Sequence, residues 1–138
     1  MANHIQLMMY EGFLAADPDS RFMDDGKQVT NFRFGSTRQY TKKNGDVAKE
    51  TTWFKAVAWG KLAEIIAKYC EKGSHVFVTG ALRPAENGSP AVYELKAGGF
   101  GSSYELTVRE IRILKGKDGA VAGESHVSDE VAEDDVPF

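Results

Sequence analysis

The 138-residue sequence predicts an all-β domain. Five strands roll into a small barrel, one helix lies between the third and fourth strands, and a disordered acidic C-terminal tail follows. Three observations carry this reading. Stretches of strand-like residues recur along the first 114 positions, separated by Gly, Asn and Asp turns. Only one stretch spaces its apolar groups as a helix does. Past Lys115 the chain is Gly, Ala, Ser and acid with few large apolar groups, too poor in apolar surface to fold.

The first strand is expected over Ile5–Leu14, an apolar run. A turn-rich stretch follows at 16–20 and again at Asp24-Asp25-Gly26. Gln28–Tyr40 alternates, with Phe32 and Phe34 on one face and Asn31, Arg33 and Thr37 on the other, as a half-buried strand does. Asn44-Gly45 marks a hairpin turn, and Thr51–Trp59 is the third strand. Leu62, Ile65, Ile66 and Tyr69 follow the i, i+3, i+4, i+7 spacing of a helix over Lys61–Lys72, with Gly73 suited to end it. Ser74–Arg83 is the fourth strand. A turn at 86–89 leads to a short arm around Val92-Tyr93, and Gly98-Gly99-Phe100-Gly101 reads as a flexible connector. The last strand is expected over Tyr104–Leu114. Its apolar phase is even at Tyr104, Leu106 and Val108 but odd at Ile111 and Ile113, which one extra residue near Arg109-Glu110, a bulge, reconciles. Five strands with a helix between the third and fourth is the order of an OB-fold barrel, and a generic small β-barrel also fits. Residues 1–115 are the expected domain, and 116–138 the linker and tip.

The net charge of −3 hides an asymmetry. Residues 1–115 carry 16 Lys/Arg against 13 Asp/Glu, a balance of +3; residues 116–138 carry one Lys against seven Asp/Glu, a balance of −6. A mildly basic body is compatible with phosphate binding. No apolar run approaches the ~18 residues of a membrane span, and no signal peptide is visible. Cys70 stands alone, so no intrachain disulfide is possible, and a reducing cytoplasm fits. His4, His75 and His126 are scattered without zinc or triad spacing, and the paired aspartates lie in turns. Neither a catalytic residue, a metal ligand nor a cofactor motif emerges.

The third strand is the informative one. Its odd face carries Thr51, Trp53, Lys55, Val57 and Trp59; its even face carries Thr52, Phe54, Ala56 and Ala58, and the small alanines suit a tight barrel interior. Unpaired bases stack on aromatic rings while Lys and Arg track the phosphates. Arg33, Arg38 and Tyr40 lie along the neighbouring strand. Lys42, Lys43 and Lys49 sit in or beside the hairpin, and Lys61, Lys72 and Arg83 flank the helix and fourth strand. These residues alone leave open a core role for the tryptophans, as in a domain used purely for protein assembly.

The run 52–64, TWFKAVAWGKLAE, resembles the core of bacterial single-stranded DNA-binding proteins, a tryptophan-bearing strand that ends in [FW]-G-K-x-A-E. Residues 69–83 are similar to the segment that follows it in that family. Gly12-Phe13-Leu14 with Asp17-Pro18 and Arg21 resembles the family's opening, and Asp134-Asp135-Val136-Pro137-Phe138 its acidic tip. The resemblance implies a non-enzymatic OB-fold protein, usually a homotetramer, that wraps single-stranded DNA in replication, recombination and repair. It places stacking on Tyr40, Trp53 and Trp59, and basic contacts on Lys61 and Lys72, with Lys42 or Lys43 alongside. It assigns the tip to docking of partner enzymes. An apolar Val-Pro-Phe end behind a run of acids suits a pocket with a basic rim. Many relatives carry another tryptophan between the fourth and fifth strands; that hairpin reads as short here, with Tyr93 its nearest aromatic.

Overall fold

The structure is a computed structural model describing residues 3–117; of the expected linker and tip only Gly116 and Lys117 are described, Gly116 buried rather than part of a free tail, and the rest, with the docking residues Asp134–Phe138, lies outside the described residues. The elements are β1 (Met8–Leu14), β2 (Asp19–Phe22), β3 (Gln28–Thr41), β4 (Val47–Trp59), α1 (Lys61–Tyr69), β5 (His75–Leu82), β6 (Ala91–Glu94) and β7 (Phe100–Lys115). Neighbours run β1-β5-β7-β4-β3, and a further β1–β3 pairing returns the sheet to its start. Those five long strands close the barrel. β4 and β7 are the parallel pair, Phe54 facing Tyr104 and Ala56 facing Leu106; the other pairs are antiparallel.

Alternation decides what fills the barrel. Phe32 and Phe34 from β3, Phe54, Ala56 and Ala58 from β4, Val76 and Val78 from β5, and Leu106 and Val108 from β7 are buried together. Phe34 stacks on Phe54 at 5.2 Å. The expected bulge is present: Thr79 faces Glu110 but Gly80 faces Val108, so Arg109 is the additional residue and the apolar phase shifts there. Helix α1 closes one side with Leu62, Ala63, Ile65 and Ile66 inward. The buried Thr30 hydroxyl donates to the Ala63 carbonyl at 2.8 Å, fixing the helix to β3. Cys70 is core filling, its thiol pushed up to about 12 by burial, with Lys117 acting in the opposite sense.

Several boundaries differ from the sequence expectation, each for a local reason. Residues 3–7 are outside any strand, and β1 begins at Met8, where pairing with Gly80 begins. The stretch at 16–20 is only partly turn, because Asp19–Phe22 pairs with Asn31–Gln28 as β2. The helix stops at Tyr69; Cys70 is extended so that its thiol reaches the core, and Gly73 serves a turn in which Ser74 N–H donates to the Glu71 carbonyl. β4 begins at Val47, since the hairpin ladder runs out to Thr41. The presumed connector at 98–101 is half strand: Gly98 and Gly99 make the turn, while Phe100 and Gly101 pair with Glu94 and Tyr93. The arm before it is therefore a hairpin with a strand of its own, not a short link. Tyr104, assigned by phase to the interior, is 56% exposed, because it sits at the mouth of the barrel. Val57 is buried although it shares the outward parity of Trp53.

Candidate nucleic-acid interface

The β3–β4 ribbon builds most of the site. Its register is unbroken from Val29↔Trp59 to Thr41↔Val47, so odd residues of both strands share one face. On that face Gly35 lies opposite Trp53, and Arg33 opposite Lys55. A Cβ at Gly35 would meet the Trp53 ring at 2.6 Å, so the indole lies directly on the glycine backbone. That close approach, rather than an unusual φ, is why glycine stands there. Trp53 is 45% exposed, and the Arg33 guanidinium lies 5.2 Å from its ring centroid. The ring is packed on protein yet remains nearly half in solvent.

Arg33 and Lys55 are a like-charged pair directly across the ladder, an arrangement that costs stability. Glu105 follows Lys55 in the next strand and lies 3.8 Å from Arg83, so one row across the sheet reads Arg33, Lys55, Glu105, Arg83. Three cations share one carboxylate in that row.

A groove of about 860 Å³ runs beside Trp53, lined by Arg33, Glu50, Lys55, Tyr93 and Tyr104 among others. Tyr93 repeats the construction of Trp53: a Cβ at its cross-strand partner Gly101 would meet its ring at 2.9 Å. The β6–β7 hairpin thus carries a half-exposed aromatic to the same groove. The sequence offered Tyr93 only as a nearby aromatic, and Tyr104 only as core. The readable signal was an aromatic paired with a glycine across a hairpin, which requires the register to be known.

The remaining expected residues are spread more widely. Trp59, 43% exposed, has the parity of Trp53 but stands six residues along β4, roughly 20 Å away. Gly60 follows it with φ 63°, a value that favours glycine, and turns the chain so that Lys61 opens the helix. Tyr40 is exposed but on the opposite face of the ribbon from Trp53, beneath Arg38 at 5.0 Å; Arg38 also pairs with Glu50 at 3.5 Å. Lys42 and Lys43 are in the hairpin turn, closed by Lys42 N–H to the Asp46 carbonyl, and Lys49 is exposed opposite Gln39. Lys72 lies in the α1–β5 turn, its backbone N–H donating to Asp17 Oδ1 at 2.8 Å. The structure therefore joins Arg33, Trp53 and Lys55 in one groove, sets Trp59 and Lys61 further along, and leaves Tyr40 behind the ribbon.

Fold and surface together define a class: a closed five-stranded OB-type barrel with an aromatic and cationic groove on its outer wall. Residues 3–114 match the Single-strand binding protein family, and the chain belongs to it. The family is one of DNA-binding proteins rather than enzymes. The chain is 31% identical over 135 residues to the single-stranded DNA-binding protein 1 of Xylella fastidiosa, covering 96% of this chain and 93% of that one. It is 30% identical over 118 residues to the Chlorobaculum tepidum single-stranded DNA-binding protein 1, covering 86% and 70%. Against the Neisseria meningitidis protein the identity is 29% over 106 residues, 77% of this chain and 58% of the relative. The fold is similar to that in the Plasmodium falciparum SSB complex with ssDNA, with a TM-score of 0.62 and 18% identity over 80% of this chain and 94% of that one.

Proposed function

We propose that this protein binds single-stranded DNA without catalysing any reaction. It shields unpaired strands during replication, recombination and repair. The observation that carries this reading is the seating of Trp53: a half-exposed indole held against Gly35, with Arg33 and Lys55 beside it and Tyr93 lining the same groove. Such a surface offers stacking to bases and charge to phosphates while reading no sequence. Duplex DNA keeps its bases stacked inside, where these rings cannot reach them.

In this reading Trp53, Trp59 and Tyr93 are platforms, with Tyr40 engaging a strand that passes behind the ribbon. Arg33, Arg38, Lys42, Lys43, Lys49, Lys55, Lys61, Lys72 and Arg83 supply the phosphate contacts. Residues 1–115 form the binding domain, and 116–138 are a linker ending in a docking tip. Pro137 and Phe138 fill a pocket on replication, recombination and repair enzymes, with Val136 beside them and Asp134 and Asp135 at its basic rim. The protein works as a homo-oligomer, a tetramer, in the cytoplasm at the nucleoid. Among the described residues no helix is long and apolar enough to cross a membrane.

Titration with poly(dT) tests the central claim. Binding should quench tryptophan fluorescence and weaken with salt, by about 0.7 in log–log slope per phosphate neutralised. Unchanged fluorescence at saturating DNA would instead favour the assembly-module reading.

A further inference from the structure

The outer face that carries Trp53 continues past Lys55 to Trp59, and there the sheet gains a strand. β2 pairs with the start of β3, which pairs with the end of β4. Two rows result: Asp19, Asn31 and Val57, then Arg21, Val29 and Trp59. Residues directly opposite or two apart share a face, so Asp19, Arg21 and Trp59 lie on the side of Trp53, Arg33 and Lys55. Arg21 and Trp59 are two strands apart, about 10 Å. Val29 between them is buried, so no exposed β3 side chain in that row separates Arg21 from the half-exposed indole. The two ends of the face differ in one respect. Arg33, beside Trp53, has no carboxylate partner among the described residues, whereas Arg21 is tied to Asp19, Nη2 to Oδ2, at 3.1 Å. Both side chains of that pair are about two-thirds exposed, and each is the other's only ion-pair partner among the described residues. The Asp19 carboxylate accepts no other hydrogen bond there. Its part in the fold is a single surface ion pair, an interaction that contributes little.

On the reading that the chain binds single-stranded DNA, we infer that Arg21 is a further phosphate contact serving the base stacked on Trp59, and that Asp19 is a built-in competitor for it. A strand that reaches Trp59 exchanges carboxylate for phosphate. Arg21 leaves Asp19 Oδ2 and takes a phosphate oxygen, and Asp19 stays behind as a like charge beside the backbone. The exchange is open because the ion pair stands in water, and because a guanidinium fork fits phosphate as well as it fits carboxylate. The occupant is a phosphodiester of the strand already bound, since the indole in the same row holds the adjoining base. The face is therefore graded along its length. At the Trp53 end a cation stands ready, while the Trp59 end gives up an ion pair before it binds. Asp19 holds affinity below what the cations alone would give.

Salt titrations of the full chain with poly(dT), followed by tryptophan fluorescence, compare Asp19→Asn, Arg21→Met and the double variant. Asp19→Asn should bind about 2- to 5-fold tighter, most of all at low salt. Arg21→Met, which keeps an apolar stem, should bind more weakly, with a log–log slope shallower by about 0.7. In the Arg21→Met background Asp19→Asn should lose most of its gain. An equal gain in both backgrounds would mean that Asp19 acts only through overall charge, and unchanged or weaker binding by Asp19→Asn would mean that it does not compete; either result overturns the inference. So would an Asp19→Asn chain that no longer folds in a urea melt, because the pair would then be structural. Arg21→Met with an unaltered slope would remove Arg21 from the contacts. All of these leave the Trp53 reading standing. Absence of quenching and of binding in the unsubstituted protein would overturn that reading itself.

Discussion

Replacing Gly35 by alanine separates a DNA platform from a core tryptophan without touching the tryptophan. The added Cβ would lie 2.6 Å from Cζ3 and 2.9 Å from Cε3 and Cη2 of Trp53. Carbon atoms rest at about 3.5–4.0 Å, so the indole must lift by roughly 1 Å. It can do so, because these atoms are the far end of a side chain that is 45% exposed. The φ of Gly35 lies outside the left-handed region, so alanine is tolerated by the backbone, and strand glycine costs roughly 0.5–1 kcal/mol relative to alanine. The gain and the displaced packing oppose each other, and folding stability should move by no more than about 1 kcal/mol. DNA affinity should fall, because the ring is displaced from its seat. The ceiling is the full stacking contribution of about 1–3 kcal/mol, which Trp53→Ala measures separately. Urea melts give the first quantity, and poly(dT) titration, read through Trp59 where Trp53 is absent, gives the second. A loss of several kcal/mol in stability, with normal DNA binding by the folded fraction, would show that the indole is a structural lid.

Other outcomes follow from the same geometry. Lys55→Ala should make the salt dependence shallower by about 0.7 in slope, and because it removes a like charge opposite Arg33 it should leave stability equal or higher by a few tenths of a kcal/mol. Stability that drops with an unchanged slope would mean that Lys55 serves the fold alone. Cys70 should resist thiol reagents in the native protein and react only at the rate of unfolding. Its thiol rises from the ordinary 9.0 to about 12 on folding, so the stability it contributes is complete below pH 9 and is lost as pH climbs through 12; equilibrium unfolding across that range checks the sign. Deleting 129–138 should leave DNA binding intact or slightly tighter at low salt, where an acidic tether competes best for a basic groove. Phe138→Ala should abolish capture of partner enzymes with DNA affinity unchanged, and a pull-down that still retains them would reduce the tip to a solubilising appendage.

The strands were legible because alternation is a local property. Phe32/Phe34 against Arg33, and Phe54/Ala56/Ala58 against Trp53/Lys55, can be read two residues at a time, and the structure keeps each on its expected side. Even the bulge at Arg109 announced itself as a change of parity. What could not be read depends on where the barrel ends. Tyr104 has the parity of Leu106, yet Leu106 is 1% exposed and Tyr104 56%, because parity gives the direction of a side chain and not the depth of the wall behind it. Val57 fails in the opposite sense, outward by parity but buried. Helix α1 was drawn too long because Cys70 fits the apolar pattern in either an extended or a helical chain. The groove was half visible: Trp53, Lys55 and Arg33 come from adjacent antiparallel strands with an obvious hairpin, whereas Tyr93 reaches it through a connection whose pairing no local pattern fixed. Tyr40 shows the converse, a residue placed by resemblance that the register sets on the other side of the ribbon from Trp53.

The row Arg33, Lys55, Glu105, Arg83 bears on function more directly than any single side chain. A sheet selected only for stability would alternate charge across its ladders, since opposite charges in register contribute and like charges cost, by roughly 0.2–1 kcal/mol. β3 and β4 do so elsewhere: Arg38 faces Glu50, and the two pair at 3.5 Å. At the groove the pattern reverses, with two cations facing each other beside an indole that lies half in water. Both features are unfavourable in the free protein, and both are relieved by one kind of ligand, a polyanion that carries flat, unpaired rings. A purely phosphorylated surface would neutralise the cations and leave the indole wet; an apolar protein partner would cover the indole and strand the charges. Single-stranded DNA satisfies the two at once. The coupling is measurable. In a double-mutant cycle, Lys55→Ala and Trp53→Ala should interact when poly(dT) affinity is the readout, because phosphate and base of one nucleotide engage them together. In free-protein stability they should add within about 0.5 kcal/mol. Strict additivity in DNA affinity would place base and phosphate contacts on separate nucleotides and break the link between the two observations.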